Sequence, residues 1–223
     1  MNSSPESRIV VAVDGTSGSG KSSTCRGVAV RLGLRYLDTG AMFRALTWWL
    51  LREGVDVYDP DAVAARVSEP AIVSGTDPTD PTIEVDGTDV AVAIRTDEVN
   101  RAVSPVSTVP EVRGRLLELQ REVIGQGGIV VEGRDIASVV WPRAEVKVYL
   151  TADRDVRAHR RVADRPEIGA DALATDLRLR DESDAARMRP AADAELIDTT
   201  ALDVDGVVAR VEELVRERLP AAP

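Results

Sequence analysis

Apolar residues occur along the chain in short runs, separated by longer stretches in which they recur every three or four positions. The short runs are typical of buried strands in a parallel sheet, and they lie at residues 9–13, 34–37, 128–132, 146–150 and 196–198. The longer stretches are amphipathic and predict helices at residues 22–32, 41–53, 111–124 and 204–219. This alternation predicts an α/β fold whose five strands form an open, doubly wound parallel sheet with helices on both faces.

Residues 68–96 depart from this pattern. They are rich in Pro, Asp, Thr and Gly, and two alternating runs, 82–85 and 89–92, flank the pair Asp86-Gly87. An Asp-Gly pair between alternating runs is typical of a β-hairpin, so we predict a small antiparallel insertion; a disordered acidic loop is the alternative.

Farther along, residues 153–189 are highly charged and have a helical pattern.

Composition limits the class of protein. The 223 residues are 43% hydrophobic, enough for the core of one domain, although aromatic residues supply only 3%. The formal net charge of −10 disfavours nucleic acid and anionic membranes as partners. Lys21 and Lys147 are the only lysines, and the other cationic side chains are arginines, which suit bidentate phosphate contacts. A codon bias of the genome is an alternative source of this skew.

Some kinds of chemistry are excluded because their residues occur once. Cys25 and His159 are the only Cys and His, so one chain cannot form a disulfide, a Cys/His zinc site or a Cys–His nucleophilic pair. We interpret Cys25 as a core residue and His159 as a solvated neighbour of arginines. Residues 1–8 are polar and no apolar run approaches the ~18 residues of a membrane span, so we expect a soluble, cytoplasmic monomer.

The most informative motif follows the first apolar run. Residues 15–22 read Gly-Thr-Ser-Gly-Ser-Gly-Lys-Ser and are joined to that run by Asp14. They match G-x-x-x-x-G-K-[ST], in which glycines let successive backbone amides turn toward one anion at a helix N-terminus. In this motif Lys21 reaches the β/γ-phosphates and Ser22 a Mg²⁺ ion. A chance glycine-rich turn is the alternative, and the strand before it and the helix after it disfavour that interpretation.

Further candidates follow the other predicted strands, because ligands of doubly wound sheets bind beyond the carboxyl ends of the strands. The residues at these ends are Asp14-Gly15, Asp38-Thr39-Gly40, Gly133-Arg134-Asp135 and Thr151-Ala152-Asp153. Arg134 is a phosphate-type donor, and Asp135 beside it accepts hydrogen bonds from an amino group. Arg44 lies one helical turn after Gly40, which directs it to the same cleft; a solvated surface arginine is the alternative.

A second concentration of positive charge lies between residues 154 and 189. It consists of Arg154, Arg157, Arg160, Arg161, Arg165, Arg178, Arg180, Arg187 and Arg189. Arg157 and Arg161 share a helical face, where like charges repel, so a bound anion would give this pair a purpose. For most of these arginines we favour a solvated helix balanced by neighbouring acidic residues, and we expect only a few to be functional.

Five motifs together resemble one family. They lie at residues 14–23 (DGTSGSGKSS), 37–44 (LDTGAMFR), 94–96 (IRT), 132–135 (EGRD) and 180–187 (RDESDAAR). In order and spacing they resemble the bacterial cytidylate kinases over nearly the whole chain, including the hairpin region. The resemblance implies a P-loop NTPase-type fold and transfer of the γ-phosphoryl group of ATP, with Mg²⁺, to CMP or dCMP.

The resemblance also implies the donor site. The ATP phosphates would be held by Gly15, Thr16, Ser17, Gly18, Ser19, Gly20, Lys21, Ser22 and Ser23. Arg157 and Arg161 match a mobile lid over ATP. Mg²⁺ would be bound by Ser22, with Asp14 acting through a water molecule.

On the acceptor side, the resemblance implies three groups of residues. The monophosphate would be gripped by Arg44, Arg134 and Arg187, the sugar by Ser104, Arg180 and Asp184, and the cytosine by Arg113 and Asp135. Thr39 matches a further acceptor position. The catalytic charges would come from Lys21, Arg134, Arg180 and Arg187, since phosphoryl transfer depends on alignment and charge stabilisation.

The family's organisation implies a single kinase domain with three parts. These are a core at about 8–59 and 105–223, an inserted monophosphate-binding region at about 60–104, and a lid at about 154–189. The chain departs from the family in two places: Phe43 stands where the family usually has Tyr, and the segment 188–191 is about four residues shorter than the family's. The second departure bears on the loop geometry after Arg187.

Two other functions remain open at this point. One is a kinase with the same loop but a different acceptor, such as UMP, AMP or shikimate; Arg113 with Asp135 favours a pyrimidine. The other is a regulatory GTPase, which usually recognises guanine through Asn-Lys-x-Asp. The only asparagines are Asn2 and Asn100, and neither precedes a lysine, so we consider a GTPase a minor alternative.

Overall fold

The computed structural model describes residues 8–164, 178 and 189–218, without the side chains of residues 161, 163 and 164. This part of the chain divides into two compact units. The first contains the described residues up to Tyr36 and from Gln126 onwards, and the second is Leu37–Gly125.

The strands form two sheets. In chain order they are β1 Val10–Gly15, β2 Arg35–Asp38, β3 Ile72–Ser74, β4 Ile83–Val85, β5 Thr88–Asp89, β6 Ile129–Gly133, β7 Val146–Thr151 and β8 Glu195–Asp198. The larger sheet has the order β2-β6-β1-β7-β8, and the smaller one has the order β3-β4-β5. The predicted parallel sheet of five strands is confirmed, because β1 pairs in parallel with β6 and β7, and β7 with β8.

The described helices are α1 Lys21–Leu32, α2 Thr39–Arg52, α3 Pro60–Arg66, α4 Asp97–Val106, α5 Pro110–Ile124, α6 Arg154–Asp164 and α7 Val204–Arg218. A 3₁₀ turn at Ala93–Arg95 and a π-helical turn at Ile136–Val140 complete the regular structure of this part of the chain. None of the described helices is long and apolar enough to cross a membrane.

The core of the first unit lies around the central strand β1. Every residue of β1 is buried, because β6 and β7 flank it and helices cover the sheet. Its side chains Val11 and Val13 belong to an aliphatic cluster with Val130, Val148 and Leu150. Continuous apolar runs are what a strand buried on both faces requires, which is why the sequence pattern predicted these strands well.

Two helices of the first unit approach each other closely at a glycine. A Cβ atom on Gly27 in α1 would lie 2.7 Å from Cγ2 of Val208 in α7. Val208 is fully buried, so it has little room to move. The absence of a side chain at Gly27 therefore sets how tightly α1 and α7 pack.

The second unit contains the predicted hairpin. Strands β4 and β5 pair in antiparallel fashion, and the turn between them has φ 51° at Asp86 and φ 74° at Gly87. Two positive φ values in a two-residue loop are the geometry of a type I′ turn, which matches the right-handed twist of the strands. The hairpin is confirmed, although β5 covers only Thr88–Asp89, and β3 adds a strand that the sequence pattern did not predict.

Two helices of the second unit also lay outside the sequence-based prediction. The side chain of Asp59 accepts hydrogen bonds from the amides of Asp61 and Ala62, and Pro60 occupies the first turn of α3. The Thr96 hydroxyl accepts from the Val99 amide at the start of α4. Both are ordinary helix N-terminus signals, so the capping residues could have revealed helices that the apolar pattern did not.

Candidate functional site

The loop between β1 and α1 depends on three glycines. Gly18 and Gly20 have φ of 80° and 87°, in the left-handed region that residues with a Cβ atom rarely adopt. Gly15 has φ 150°, and a Cβ atom there would overlap the carbonyl oxygen of Leu150 on β7. Each glycine of the sequence motif therefore meets a backbone requirement.

The side chain of Lys21 folds back over this loop. Its Nζ donates to the carbonyl oxygens of Gly15, at 2.9 Å, and Thr16, at 2.8 Å. Burial, together with the nearby Arg134 guanidinium, lowers the pKa of Lys21 to about 8. A partly desolvated ammonium group beside a second cation gains from the arrival of an anion, so the loop is electrostatically suited to phosphate.

Two carbonyl groups of the loop are held by side chains from later in the chain. Arg157, on α6, donates from Nη1 to the Ser17 oxygen at 3.1 Å and from Nε to the Ala152 oxygen at 3.2 Å. Thr199 donates from its hydroxyl to the Ser19 oxygen at 3.0 Å. Arg157 is only 7% exposed, so in this structure it supports the phosphate loop from α6.

The hydroxyl of Ser22 lies in a small hydrogen-bond network. It donates to Oε1 of Glu132 at 2.8 Å, and the Tyr36 hydroxyl donates to the same oxygen at 2.7 Å. Glu132 is buried at the end of β6, whereas Ser22 is exposed at the start of α1. A serine that donates its proton to a carboxylate keeps its oxygen lone pairs available to a cation.

These residues fit a magnesium ion of the kind that nucleotides bring. No group of three or more His, Cys, Asp or Glu side chains in the described part of the chain could form an all-protein metal site. Mg²⁺ bound to a nucleotide needs only one or two protein oxygen ligands, because phosphates and water supply the others. The Ser22 hydroxyl, oriented by Glu132, is such a ligand.

Asp14 lies beneath the neighbouring turn. Its two carboxylate oxygens accept hydrogen bonds from the amides of Ile136, at 2.8 Å, and Ala137, at 2.9 Å. Burial raises the pKa of Asp14 to about 6, against the lowering effect of these two hydrogen bonds. Asp14 thereby fixes the turn that begins directly after Arg134 and Asp135, which are both half-buried.

In the second unit, the candidate acceptor residues lie on three helices. Thr39 is buried in the first turn of α2, and Arg44 follows on the same helix. The guanidinium of Arg44 lies above the start of the helix, since a Cβ atom on Gly40 would be 3.0 Å from its Nη1. Ser104 on α4 and Arg113 on α5 are both half-buried.

Some of the predicted residues cannot be located in this way. Arg180, Asp184 and Arg187 lie outside the described residues, and the side chain of Arg161 is not described either. The structure does bring together the loop residues 15–22 with Asp14 and Arg157 in the first unit. Thr39, Arg44, Ser104 and Arg113 belong to the second unit.

Sequence reasoning assigned no role to Glu132 and Thr199, which contact Ser22 and Ser19, or to Tyr36, which contacts Glu132. Glu132 is an acidic residue at the end of an apolar run, and Thr199 directly follows β8. Both therefore occupy carboxyl ends of strands, the positions at which the other candidates were found, and this signal was sufficient to propose them. Tyr36 offered no comparable signal, because it lies within β2.

Three features of this site define a P-loop kinase. They are a parallel sheet with a glycine-rich phosphate loop after its first strand, a half-buried lysine at that loop, and a serine beside the lysine. A solved gluconokinase from Sinorhizobium meliloti shares the fold, with a TM-score of 0.51 and 16% identity over 95% of this chain and 94% of that chain.

The family follows from closer relatives. The family model described as cytidylate kinase matches residues 11–217. The chain is 49% identical to the cytidylate kinase of Streptomyces avermitilis, over 96% of this chain and 95% of that protein. It is 52% identical to the cytidylate kinase of Streptomyces coelicolor, over 94% of each chain. The chain belongs to the cytidylate kinase family.

Proposed function

We propose that the phosphate loop and the residues at the carboxyl ends of β1, β2 and β6 carry the activity of this family. The chain is a kinase that transfers the γ-phosphoryl group of ATP to CMP or dCMP, giving ADP and CDP or dCDP. One observation carries the assignment of residues: Gly15, Gly18 and Gly20 have positive φ, and Lys21 donates hydrogen bonds to carbonyl groups of the same loop.

The donor site consists of residues 15–23. In this structure the Lys21 ammonium donates to the carbonyls of Gly15 and Thr16. When ATP binds, Lys21 exchanges these neutral acceptors for the charged phosphate oxygens, which form stronger hydrogen bonds. Because phosphoryl transfer requires charge stabilisation more than proton transfer, Lys21 acts by neutralising the moving group, and no general base is required of His159.

The Mg²⁺ that accompanies ATP is assigned to Ser22. The Ser22–Glu132 hydrogen bond fixes the direction in which the serine oxygen presents its lone pairs. When bound, Mg²⁺ neutralises charge on the phosphate oxygens. Asp14 was predicted to act on the metal through water; its two hydrogen bonds to the Ile136 and Ala137 amides support a role in holding the turn after Arg134 and Asp135.

The acceptor residues are assigned one by one, as the family resemblance implies. Arg44 and Arg134, together with Arg187, would bind the monophosphate of CMP through guanidinium–phosphate hydrogen bonds. Asp135 would accept a hydrogen bond from the amino group at C4 of cytosine, and Arg113 would also contact the base. Uracil has an acceptor at that position, so the same carboxylate would repel it.

The remaining acceptor residues complete the proposal. Thr39 would contact the acceptor nucleotide, and Ser104, Arg180 and Asp184 would bind its sugar. Arg180 and Arg187 would also stabilise charge on the transferred group. Arg161 remains a candidate for a lid that closes over ATP, which would exclude water from the transfer.

Arg157 has a different role in this proposal. It was predicted to belong to a mobile lid, but its buried side chain is bonded to the Ser17 carbonyl. We therefore assign Arg157 to the support of the phosphate loop rather than to a direct contact that forms only on closure.

The protein is further proposed to act in the cytoplasm, as a monomer and without a nucleic-acid partner, given its net charge of −10.

The test separates phosphoryl transfer from base selection. ADP release from Mg·ATP is measured by a coupled assay with CMP, dCMP, UMP, AMP, GMP and shikimate supplied one at a time. The variants are Lys21→Met, with Lys147→Met as the control in the only other lysine, and Asp135→Ala, with the exposed Asp61→Ala as the control. Each pair removes the same chemical group at a proposed site residue and at a distant one.

We expect fast wild-type turnover to be confined to CMP and dCMP. Lys21→Met should lose about 10³-fold in kcat with every acceptor, the size of a lost phosphate-stabilising charge. Asp135→Ala should lose the preference for CMP over UMP while its activity with UMP stays measurable. Equal losses from the two site variants with all acceptors would contradict the division between a donor residue and a base-reading residue.

A further inference from the structure

The direction of a peptide carbonyl determines the direction of the amide that shares its plane. Peptide groups are planar and, in the described part of this chain, trans, so the C=O of one residue and the N–H of the next point in opposite directions. The carbonyls of Ser17 and Ser19 point toward Arg157 and Thr199. The amides of Gly18 and Gly20 therefore point away from these two side chains.

Among the residues that the structure describes, no group accepts a hydrogen bond from the Gly18 or Gly20 amide. Both glycines have positive φ, and successive amides in such a conformation form the concave anion site of a phosphate loop. Arg157 and Thr199 bind the Ser17 and Ser19 carbonyls on one side of the loop, and they thereby set the direction of the two amides on the other side.

The Thr199 hydroxyl is held in place from several directions. The Thr199 amide donates to the carbonyl of Thr151 at 2.8 Å, and Arg160 donates to both the carbonyl of Thr199, at 2.8 Å, and its hydroxyl, at 3.0 Å. Thr199 is only 1% exposed. Because the arginine occupies the acceptor side of the hydroxyl, the single hydroxyl proton is directed to the Ser19 oxygen.

We propose that Thr199 is a positioning residue for the donor phosphates: its hydroxyl holds the Ser19 carbonyl, and the shared peptide plane thereby aims the Gly20 amide at the phosphate. Arg160 acts one step farther away by fixing the Thr199 hydroxyl. This inference rests on the proposed assignment of residues 15–23 to the ATP phosphates. Thr199 itself touches neither the nucleotide nor the acceptor.

Loss of the hydroxyl affects the loop rather than the base of the nucleotide. In Thr199→Val the side chain keeps its shape, but the buried Ser19 carbonyl loses its donor, and the peptide can rotate to find another. The N–H bond of Gly20 would then no longer point at the phosphate. Thr199→Ser keeps the hydroxyl and should restore the geometry.

The experiment compares wild type, Thr199→Val, Thr199→Ser and Thr200→Val. Thr200 is a matched control because its hydroxyl donates to Asp198 and accepts from the Asp153 amide, and no hydrogen bond joins it to the loop. The measurements are KM for ATP, KM for CMP, kcat, and the inhibition constant of inorganic tripolyphosphate as a competitor of ATP. Tripolyphosphate has no base, so it reports the phosphate site alone. Thermal unfolding of each variant gives its stability separately.

In Thr199→Val we expect both the KM for ATP and the inhibition constant of tripolyphosphate to rise about five- to tenfold, the effect of one misdirected hydrogen bond. The KM for CMP should stay within about twofold, and Thr199→Ser and Thr200→Val should resemble wild type. A rise in the KM for ATP without a change for tripolyphosphate would mean that Thr199 contacts the base, and this would overturn the proposal. A lower unfolding temperature with unchanged constants would also overturn it, as a purely structural role.

Failure of the underlying assignment can be recognised separately. If residues 15–23 do not hold the ATP phosphates, Lys21→Met will leave the KM for ATP, kcat and tripolyphosphate inhibition unchanged. If only the role of Thr199 is wrong, Lys21→Met will lose activity while Thr199→Val behaves as wild type.

Discussion

The carboxylate of Asp14 is buried although it carries a charge at neutral pH. Its two hydrogen bonds to the amides of Ile136 and Ala137 stabilise the ionised form, but the loss of hydration is the larger effect, and the pKa rises to about 6. The buried charge of Asp14 therefore destabilises the folded protein, while its hydrogen bonds hold the turn after Asp135. This is the type of local cost that functional sites often retain.

Asp14 should make the stability of the protein depend on pH in a defined window. Below a pH of about 4 the carboxyl is protonated in both folded and unfolded chains. Between about 4 and about 6 the unfolded chain releases its proton while the folded chain keeps it, so stability falls as pH rises; above about 6 the loss is complete. The total is on the order of 3 kcal/mol.

Thermal unfolding from pH 4 to pH 8 checks this, with Asp14→Asn as the variant that cannot titrate. The stability of wild type relative to Asp14→Asn should decline from pH 4 to about 6 and then stay constant. The exposed Asp80→Asn serves as the control and should show no such decline. A difference between wild type and Asp14→Asn that does not change with pH would mean that burial leaves the Asp14 pKa at its ordinary value.

Among single residues, the sequence predicted those that belong to one local motif. It did not predict those that contact the motif from distant positions in the chain. Lys21 and Ser22 were found because the loop pattern is local. Glu132 contacts Ser22 across 110 positions and Thr199 contacts Ser19 across 180, so only tertiary structure could supply these partners. Their position after a strand indicated a site but could not indicate which side chain they would meet.

Glycines at the middle of two helices have opposite surroundings. Gly27 in α1 faces Val208 of α7 so closely that a Cβ atom would lie 2.7 Å from its Cγ2, whereas a Cβ atom on Gly114 in α5 would meet nothing within 4 Å. Alanine favours helical backbone over glycine by roughly 0.5–1 kcal/mol at either position. Only Gly27 adds a steric cost, because the core there is already filled.

The two alanine substitutions should therefore change stability in opposite directions. Gly114→Ala should stabilise the protein by roughly 0.5–1 kcal/mol, and Gly27→Ala should destabilise it by about 1–2 kcal/mol, because overpacking outweighs the gain in helix propensity. Urea or thermal unfolding measures both, and each variant is the control for the other. Stabilisation by both alanines would mean that α7 moves aside without cost and that the α1–α7 contact is not tight.

Elements were predicted best where burial produces a strong pattern. The short, mainly apolar runs of β1, β6 and β7 have the length and composition of strands buried in a parallel sheet. The short elements were missed because three residues, such as Ile72–Ser74, cannot show a period. Strand β3 exists because the β4–β5 hairpin supplies a pairing edge, and that is a tertiary cause.

The order of the strands is a property of the whole molecule that the apolar pattern could not predict. The second strand in sequence pairs with the sixth, and the first lies at the centre of the sheet. Connections between parallel neighbours are long, so the chain offers no local signal for which strands become adjacent. The division of the described residues into one unit up to Tyr36 and from Gln126 onwards, and a second unit at Leu37–Gly125, likewise depends on packing rather than on a linker composition.

Charge at the end of the larger sheet bears on whether copies of the chain associate. In the described part of the chain β8 is the last strand of that sheet, and its Glu195 and Asp198 are exposed. Charged residues on a terminal strand disfavour pairing with another copy, and the net charge of −10 adds general repulsion. Leu196 is the opposing feature, since it is 62% exposed on the same strand.

We expect the charges to prevail, because one exposed leucine does not make an interface. Sedimentation velocity from about 1 to about 100 μM, at ~0.15 M salt, should give a single 24.0-kDa species with no dependence on concentration. Leu196→Lys is the diagnostic variant and should sediment like wild type. A heavier species in wild type that Leu196→Lys abolishes would instead make β8 a pairing edge, because a lysine there removes the apolar contact and blocks the approach of a second strand.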